Sequence, residues 1–281
     1  MSGDSRSVLS RPAPGPDLII PYGEHADQIA DVRLPSATPH ARGEPRAPGV
    51  MVLFFHGGFW RQEYDRTHTG PLAVALAALG YVVVTPEYRR TGGAGGWPAT
   101  LDDVSLAVCR LPGLVRERLG QAADAPLLLA GHSAGGHLAL WAAAELADRV
   151  AGVVALAPVA DLRATYDLGL DGGAVRDLLG GGPSEVPERY AAADPMARLP
   201  IRVPIDLVHG RRDAQVPCEF SARFAAAAAE AGDLVLLDHP DCDHFAVIDP
   251  ASAAWPVVVA AIDRAADRAR NPANRWGLAP G

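Results

Sequence analysis

The chain contains no lysine; every basic side chain among its 281 residues is arginine. That absence removes Schiff-base chemistry and serine–lysine dyads from consideration. Cysteine is scarce too. Cys109, Cys218 and Cys242 are odd in number and far apart, so they form neither a disulfide framework nor a C-x-x-C metal site. Such usage suits a reducing, cytoplasmic setting. No run of eighteen apolar residues occurs, which excludes a membrane-spanning helix. Positive charge is in the minority: 25 basic against 33 acidic residues give a net charge of -8. A nucleic-acid or anionic-membrane partner is therefore not expected. Met1 to Asp17 carries prolines and polar residues without an apolar core segment, so it does not read as a secretory signal. It reads as a mobile leader, with residues 18–270 as one domain and 271–281 as a loose tail.

What is present is a chain that is 49% hydrophobic and long enough for a sizeable core. Short apolar runs of strand length alternate with Ala- and Leu-rich helical stretches. Strands are expected over 17–22, 28–34, 50–55, 81–85, 127–130, 150–157, 205–208 and 234–237. Helices are expected over 72–79, 100–119, 137–146, 219–231 and 251–268, with Pro112 breaking or kinking the second. Alternation of this kind calls for an α/β fold, a mostly parallel central sheet with helices on both faces. Residues 159–204 are too long for an ordinary connection and read as a lid inserted over one end of the sheet.

The chain is organised around Leu127-Leu128-Leu129-Ala130-Gly131-His132-Ser133-Ala134-Gly135-Gly136. A buried strand runs into Gly-x-Ser-x-Gly and on into a helix, the context in which that pattern carries chemistry. A sharp turn would expose the Ser133 hydroxyl at the sheet's end and aim the N–H of Ala134 at the reaction centre. A serine hydroxyl needs a base, and the base an orienting acid. Strand 205–208 runs into His209-Gly210-Arg211-Arg212-Asp213, which offers Asp213 as the acid. The last strand runs into Asp238-His239-Pro240-Asp241-Cys242-Asp243-His244-Phe245, where His244 and His239 compete for the base. His244 is preferred, because it lies where the chain can turn back over Ser133. An earlier strand ends in His56-Gly57-Gly58-Phe59-Trp60, whose glycines would let backbone amides approach an oxyanion. Gly58 and Phe59 are the candidate donors, uncertain by one position; His56 reads as structural. Trp60 and His132 are candidate substrate contacts, Trp60 also as packing beneath the pocket. Trp97, Trp141 and Trp255 read as packing residues. Tyr166 and Tyr190 could reach substrate, and Cys242 is a candidate oxidation-sensitive position.

Gly131-His132-Ser133-Ala134-Gly135-Gly136-His137 and His56-Gly57-Gly58-Phe59-Trp60 resemble the α/β-hydrolase superfamily, and within it the carboxylesterase branch that holds hormone-sensitive-lipase-like esterases and kynurenine formamidases. The resemblance runs from about Val50 to Ile262. Hormone-sensitive-lipase relatives carry His-Gly-Gly-Gly, where Phe59 stands here; kynurenine formamidases carry His-Gly-Gly-x-Trp, which Phe59-Trp60 matches. The resemblance implies a Ser133–His244–Asp213 triad, no metal or organic cofactor, and a small-molecule ester or amide as substrate. Glu87-Tyr88-Arg89 resembles a structural Asp-Tyr-Arg of such enzymes. Arylformamidase activity, acyl transfer to an acceptor other than water, and a non-catalytic binding role remain open alternatives. The oligomeric state is not readable from the sequence.

Overall fold

A computed structural model describes residues 5–35, 49–120 and 125–271. Eight strands form one sheet in the order β1-β2-β4-β3-β5-β6-β7-β8. They are β1 (Leu18–Pro21), β2 (Ile29–Arg33), β3 (Met51–Phe55), β4 (Val82–Pro86), β5 (Leu127–His132), β6 (Gly152–Leu156), β7 (Ile205–Val208) and β8 (Val235–Asp238). The first two pair antiparallel, and β2 pairs antiparallel with β4; from β4 onward the sheet is parallel.

The central strands are apolar throughout because both faces are covered. On β3, Met51, Leu53 and Phe55 join one core, while Val52 and Phe54 join the other. Leu127 and Leu129 of β5 divide from Leu128 and Ala130 in the same way. The first core is closed by α2 (Ala99–Leu119), α3 (Ala134–Glu145) and α7 (Glu219–Glu230) through Val104, Leu138 and Phe224. The second is closed by α1 (Gly70–Ala78) and α8 (Trp255–Arg270) through Leu72, Leu76, Val258 and Ile262. The two-residue period of the strands thus assigns each side chain to one of two helix layers.

Three sequence expectations need correction. Helix α2 runs through Pro112 without a break. Leu111 and Val115 are buried on either side of the proline, and their packing outweighs its local cost. Residues 5–17 do not form a mobile leader. Ser5–Ser10 make a 3₁₀ turn with Val8 fully buried, and Arg11 forms a two-pronged ion pair with Asp249. Arg33 then donates to the Pro14 carbonyl, and Asp17 accepts from the Leu34 amide. Residues 159–204, expected to be irregular, carry three short helices: α4 (Leu162–Asp167), α5 (Ala174–Leu179) and α6 (Pro187–Ala193). The tail from 272 and most of the 35–48 loop lie outside the described residues.

Candidate active site

The parallel strands β3, β5, β6, β7 and β8 all end at one rim of the sheet, and the residues singled out from the sequence gather there. Ser133 lies between β5 and α3 with φ 56° and ψ -119°, a conformation that side chains larger than glycine rarely adopt. Its surroundings hold it there. The Ser133 amide donates to the Leu156 carbonyl at 2.9 Å, and its own carbonyl accepts from the His137 and Val159 amides. The flanking glycines are steric necessities. A Cβ on Gly131 would lie 2.1 Å from the Gly135 carbonyl oxygen, and one on Gly135 would lie 2.0 Å from that of Phe55. Helix α3 therefore starts pressed against the ends of β3 and β5. Ala134 opens it, and first-turn amides of a helix have no intrahelical acceptor.

Asp213 lies beyond β7 with its side chain fully buried, and each of its oxygens is engaged. Oδ1 accepts from the amides of Gln215 and Val216 at 2.8 and 2.9 Å. Oδ2 accepts from His244 Nδ1 at 2.6 Å and from His209 Nε2 at 3.1 Å. Burial alone would raise the pKa of this carboxyl. The hydrogen bonds from His209, His244 and the Val216 amide outweigh it and hold the group well below the ordinary carboxylate range. His244 Nδ1 is thus committed to Asp213, and His244 lines the same cavity as Ser133. His239 goes elsewhere: its Nδ1 donates to the His209 carbonyl. Of the two histidines, it is His244, and not His239, that meets Asp213.

His209 was not assigned a role from the sequence. It sits at the end of β7, donates to Asp213 and accepts from the Ser221 hydroxyl at 2.7 Å. The available signal was its spacing of four residues from Asp213, which lets one turn bring the imidazole back onto the carboxylate. His132 lies under His244: its Nε2 donates to the His244 carbonyl at 2.9 Å, and the two rings are 4.5 Å apart. Burial, then the neighbouring His244, pushes the pKa of His132 far down, so it supports its neighbour as a neutral ring. It also lines the cavity, as a substrate contact would.

Opposite stands the loop after β3. Gly58 and Phe59 line the cavity, with φ of 108° and 46°. A Cβ on Gly58 would lie 2.4 Å from Cβ of Tyr64, so the loop can turn this tightly only with glycine there. Behind the loop, His56 Nε2 meets Glu87 Oε1 at 2.8 Å and Nδ1 meets the Gly57 carbonyl at 2.8 Å. Tyr88 donates to the His56 carbonyl and stacks on its ring at 4.3 Å. His56 is thus held as a structural bracket, in keeping with its sequence reading. Trp60 is not at the cavity wall. It is fully buried, edge-on to His137 at 5.1 Å, and packs beneath the loop. Its candidacy as a substrate contact is withdrawn, because its sheltered position leaves no face for a ligand. Tyr190 is likewise buried, against Tyr166, and neither ring is among the cavity's lining residues. Cys242 is buried, which raises its thiol pKa to about 11 and works against easy oxidation.

The cavity measures about 140 Å³. Phe59, Leu9 and Phe245 give it apolar walls; Tyr64, His68, Gln215 and Asp171 add polar ones. Asp171 comes from the 159–204 segment. Arg61 binds both its carboxylate and its carbonyl, and reaches Asp177 at 3.0 Å. That clamp ties the segment to the loop after β3.

The fold defines the class, an α/β-hydrolase, and it carries a strained serine at a strand–helix turn, an acid–histidine pair beyond the later strands and a glycine loop opposite. Comparison with known proteins agrees. Residues 39–227 match the BD-FAE family, and the chain belongs to it. It is 32% identical over 151 residues to a kynurenine formamidase of Danio rerio, covering 51% of this chain and 46% of that protein. It is 27% identical over 236 residues to Esterase LipQ of Mycobacterium tuberculosis, covering 76% and 52%. The chain thus spans about half the length of both relatives. Among solved structures, Esterase B from Lactobacillus rhamnosis superposes with a TM-score of 0.74 at 19% identity, over 97% of this chain and 92% of that one. The chain takes its place on the carboxylesterase and kynurenine formamidase branch of the superfamily.

Proposed function

We propose that the chain is a serine hydrolase that cleaves a small ester or amide through an acyl-enzyme. Ser133 Oγ attacks the carbonyl carbon while His244 Nε2 takes its proton. Asp213 holds the imidazole in the tautomer that leaves Nε2 basic, and stabilises the charged ring. The developing oxyanion is met by backbone amides drawn from Gly58, Phe59 and Ala134, each donor contributing about 3 kcal/mol. His244 then passes the proton to the departing oxygen or nitrogen. Water, deprotonated by the same imidazole, releases the acid. The observation that carries this reading is the 2.6 Å bond from His244 to buried Asp213, made beside a cavity that His244 shares with Ser133. Cavities of about 150 Å³ hold a benzene-sized group. The acyl group is therefore small, and the 159–204 segment acts as a lid over it, held by Arg61.

The test is hydrolysis of a short-chain p-nitrophenyl ester by the wild type and by Ser133→Ala. The variant should lose about a thousandfold or more in kcat, and near-normal turnover would end the proposal. A second reading, formamide hydrolysis, is favoured by His56-Gly57-Gly58-Phe59-Trp60 and by the similarity to a kynurenine formamidase. Turnover of N-formylkynurenine well above that of simple esters would select it.

A further inference from the structure

Asp213 carries two imidazoles, and the proposed reaction employs only His244. The other, His209, is fully buried just past the end of β7 and does not line the cavity. Its contacts fix its tautomer. Nε2 faces two acceptors, Asp213 Oδ2 at 3.1 Å and the Val216 carbonyl at 3.0 Å, so that nitrogen carries the proton. Nδ1 then offers its lone pair to the Ser221 hydroxyl at 2.7 Å. Ser221, on α7, is fully buried as well. A hydrogen bond accepted at one ring nitrogen polarises the N–H at the other, so Ser221 strengthens the donor aimed at Asp213. Ser221, His209, Asp213 and His244 thus form one row, running from α7 to the cavity that Ser133 lines.

Oδ2 is the shared atom: it accepts from His244 Nδ1 at 2.6 Å and from His209 Nε2. Both donors draw on the same negative charge, so what one imidazole takes the other loses. We propose that His209 is a positioning residue that moderates Asp213: its N–H spreads the carboxylate charge and keeps Asp213 from gripping the protonated His244 ring too firmly to release its proton. This rests on the serine-hydrolase reading above for the part that His244 plays. Other ionisable side chains surround the carboxylate. They are His132, which burial and then His244 keep neutral, and the thiols of Cys218 and Cys242, which burial raises. Asp243 is turned to the amides of Phe245 and Ala246, and Arg212 pairs with Asp241 at the surface. Among the described residues, none of these donates a hydrogen bond to Asp213.

The test is the pH dependence of kcat/KM for a short-chain p-nitrophenyl ester in the wild type, His209→Gln and His209→Leu. Leucine removes the donor. The carboxylate then concentrates its charge on His244, and the acid limb of the profile should move up by about half a pH unit or more. Glutamine can present an N–H where Nε2 stood, so its limb should stay near that of the wild type. A part played only in holding the loop predicts the opposite sign, because a slackened Asp213 lets the limb fall. A limb that stays or falls in His209→Leu overturns the proposal. Should that variant not fold, nitrogen-15 NMR of the wild type at neutral pH decides. It should show His209 protonated on Nε2 with Nδ1 bare, and a proton on Nδ1 alone overturns the proposal. The same spectra follow the titration of His244 in Ser133→Ala, with and without His209→Leu. An upward shift there, with no ester hydrolysed by the wild type, supports the shared carboxylate and shows that only the reaction is misread. Ester hydrolysis with an unmoved titration overturns the proposal and leaves the reaction standing.

Discussion

Two carboxylate–imidazole pairs flank the same cavity, and they are almost alike. Asp213 meets His244 at 2.6 Å and Glu87 meets His56 at 2.8 Å. All four side chains are nearly or fully buried. In both pairs the carboxylate stays ionised against the pull of burial, aided by hydrogen bonds from imidazole and backbone. The difference lies in the second ring nitrogen. That of His56 is spent on the Gly57 carbonyl, inside the loop it braces. For His244 no such carbonyl partner is recorded among the described residues, and the residue lines a cavity shared with a strained serine. Neither a short hydrogen bond nor a shifted pKa singles out a catalytic pair. What matters is whether the imidazole keeps a nitrogen free to move a proton.

Substitution should separate the two pairs. Asp213→Asn removes the partner that sets the His244 tautomer, and kcat should fall by about a thousandfold or more with KM little changed. Glu87→Gln leaves the proton relay intact but loosens the loop, so kcat should fall by about a hundredfold at most. The same change breaks a buried ion pair and should cost about 3–5 kcal/mol in denaturant unfolding. Equal kinetic losses in both variants would erase the distinction.

Acid stability sharpens it further. Burial, and for His68 the adjacent His56, hold His68 and His137 neutral to about pH 3 and about pH 4. Their folded pKa values lie below the unfolded value near 6.5. The unfolded chain therefore binds more protons in that window, and stability falls as pH drops from about 6.5 towards 4. For fully buried His137 the loss is about 3 kcal/mol. It should be visible as a falling urea midpoint, and a flat midpoint would contradict the burial argument. The smallest effect belongs to Arg61→Ala. Its partners Asp171 and Asp177 are substantially exposed, so stability should change by less than about 1 kcal/mol in the same titration. A larger loss would mean that the clamp holds more than the segment it touches.

Much of this was legible beforehand because the relevant signals are local. Each of the eight strands falls within two residues of its expected place, since a buried parallel strand is a short apolar run with turn residues at its end. Gly131 and Gly135 announced the elbow, because no other residue fits between the ends of β3, β5 and α3. The misses share a cause. Helices α4, α5 and α6 have six or seven residues each, too few for a period to show, and they exist by packing. The anchoring of residues 5–17 depends on Val8 and on Arg11 finding Asp249, 238 positions away, which no local pattern reveals. His209 was overlooked, and Trp60 was left between cavity contact and packing, for a similar reason. Which way a side chain points from the end of a strand is decided by the neighbouring strands.

The central claim is that Ser133 is a nucleophile activated by His244. Labelling with a fluorophosphonate probe, followed by mass spectrometry of the digested protein, tests it most directly. The account predicts one adduct, on Ser133, which His244→Ala slows by orders of magnitude while Glu87→Gln leaves it readily formed. An adduct on another residue, or a folded wild type that takes no label, would contradict it.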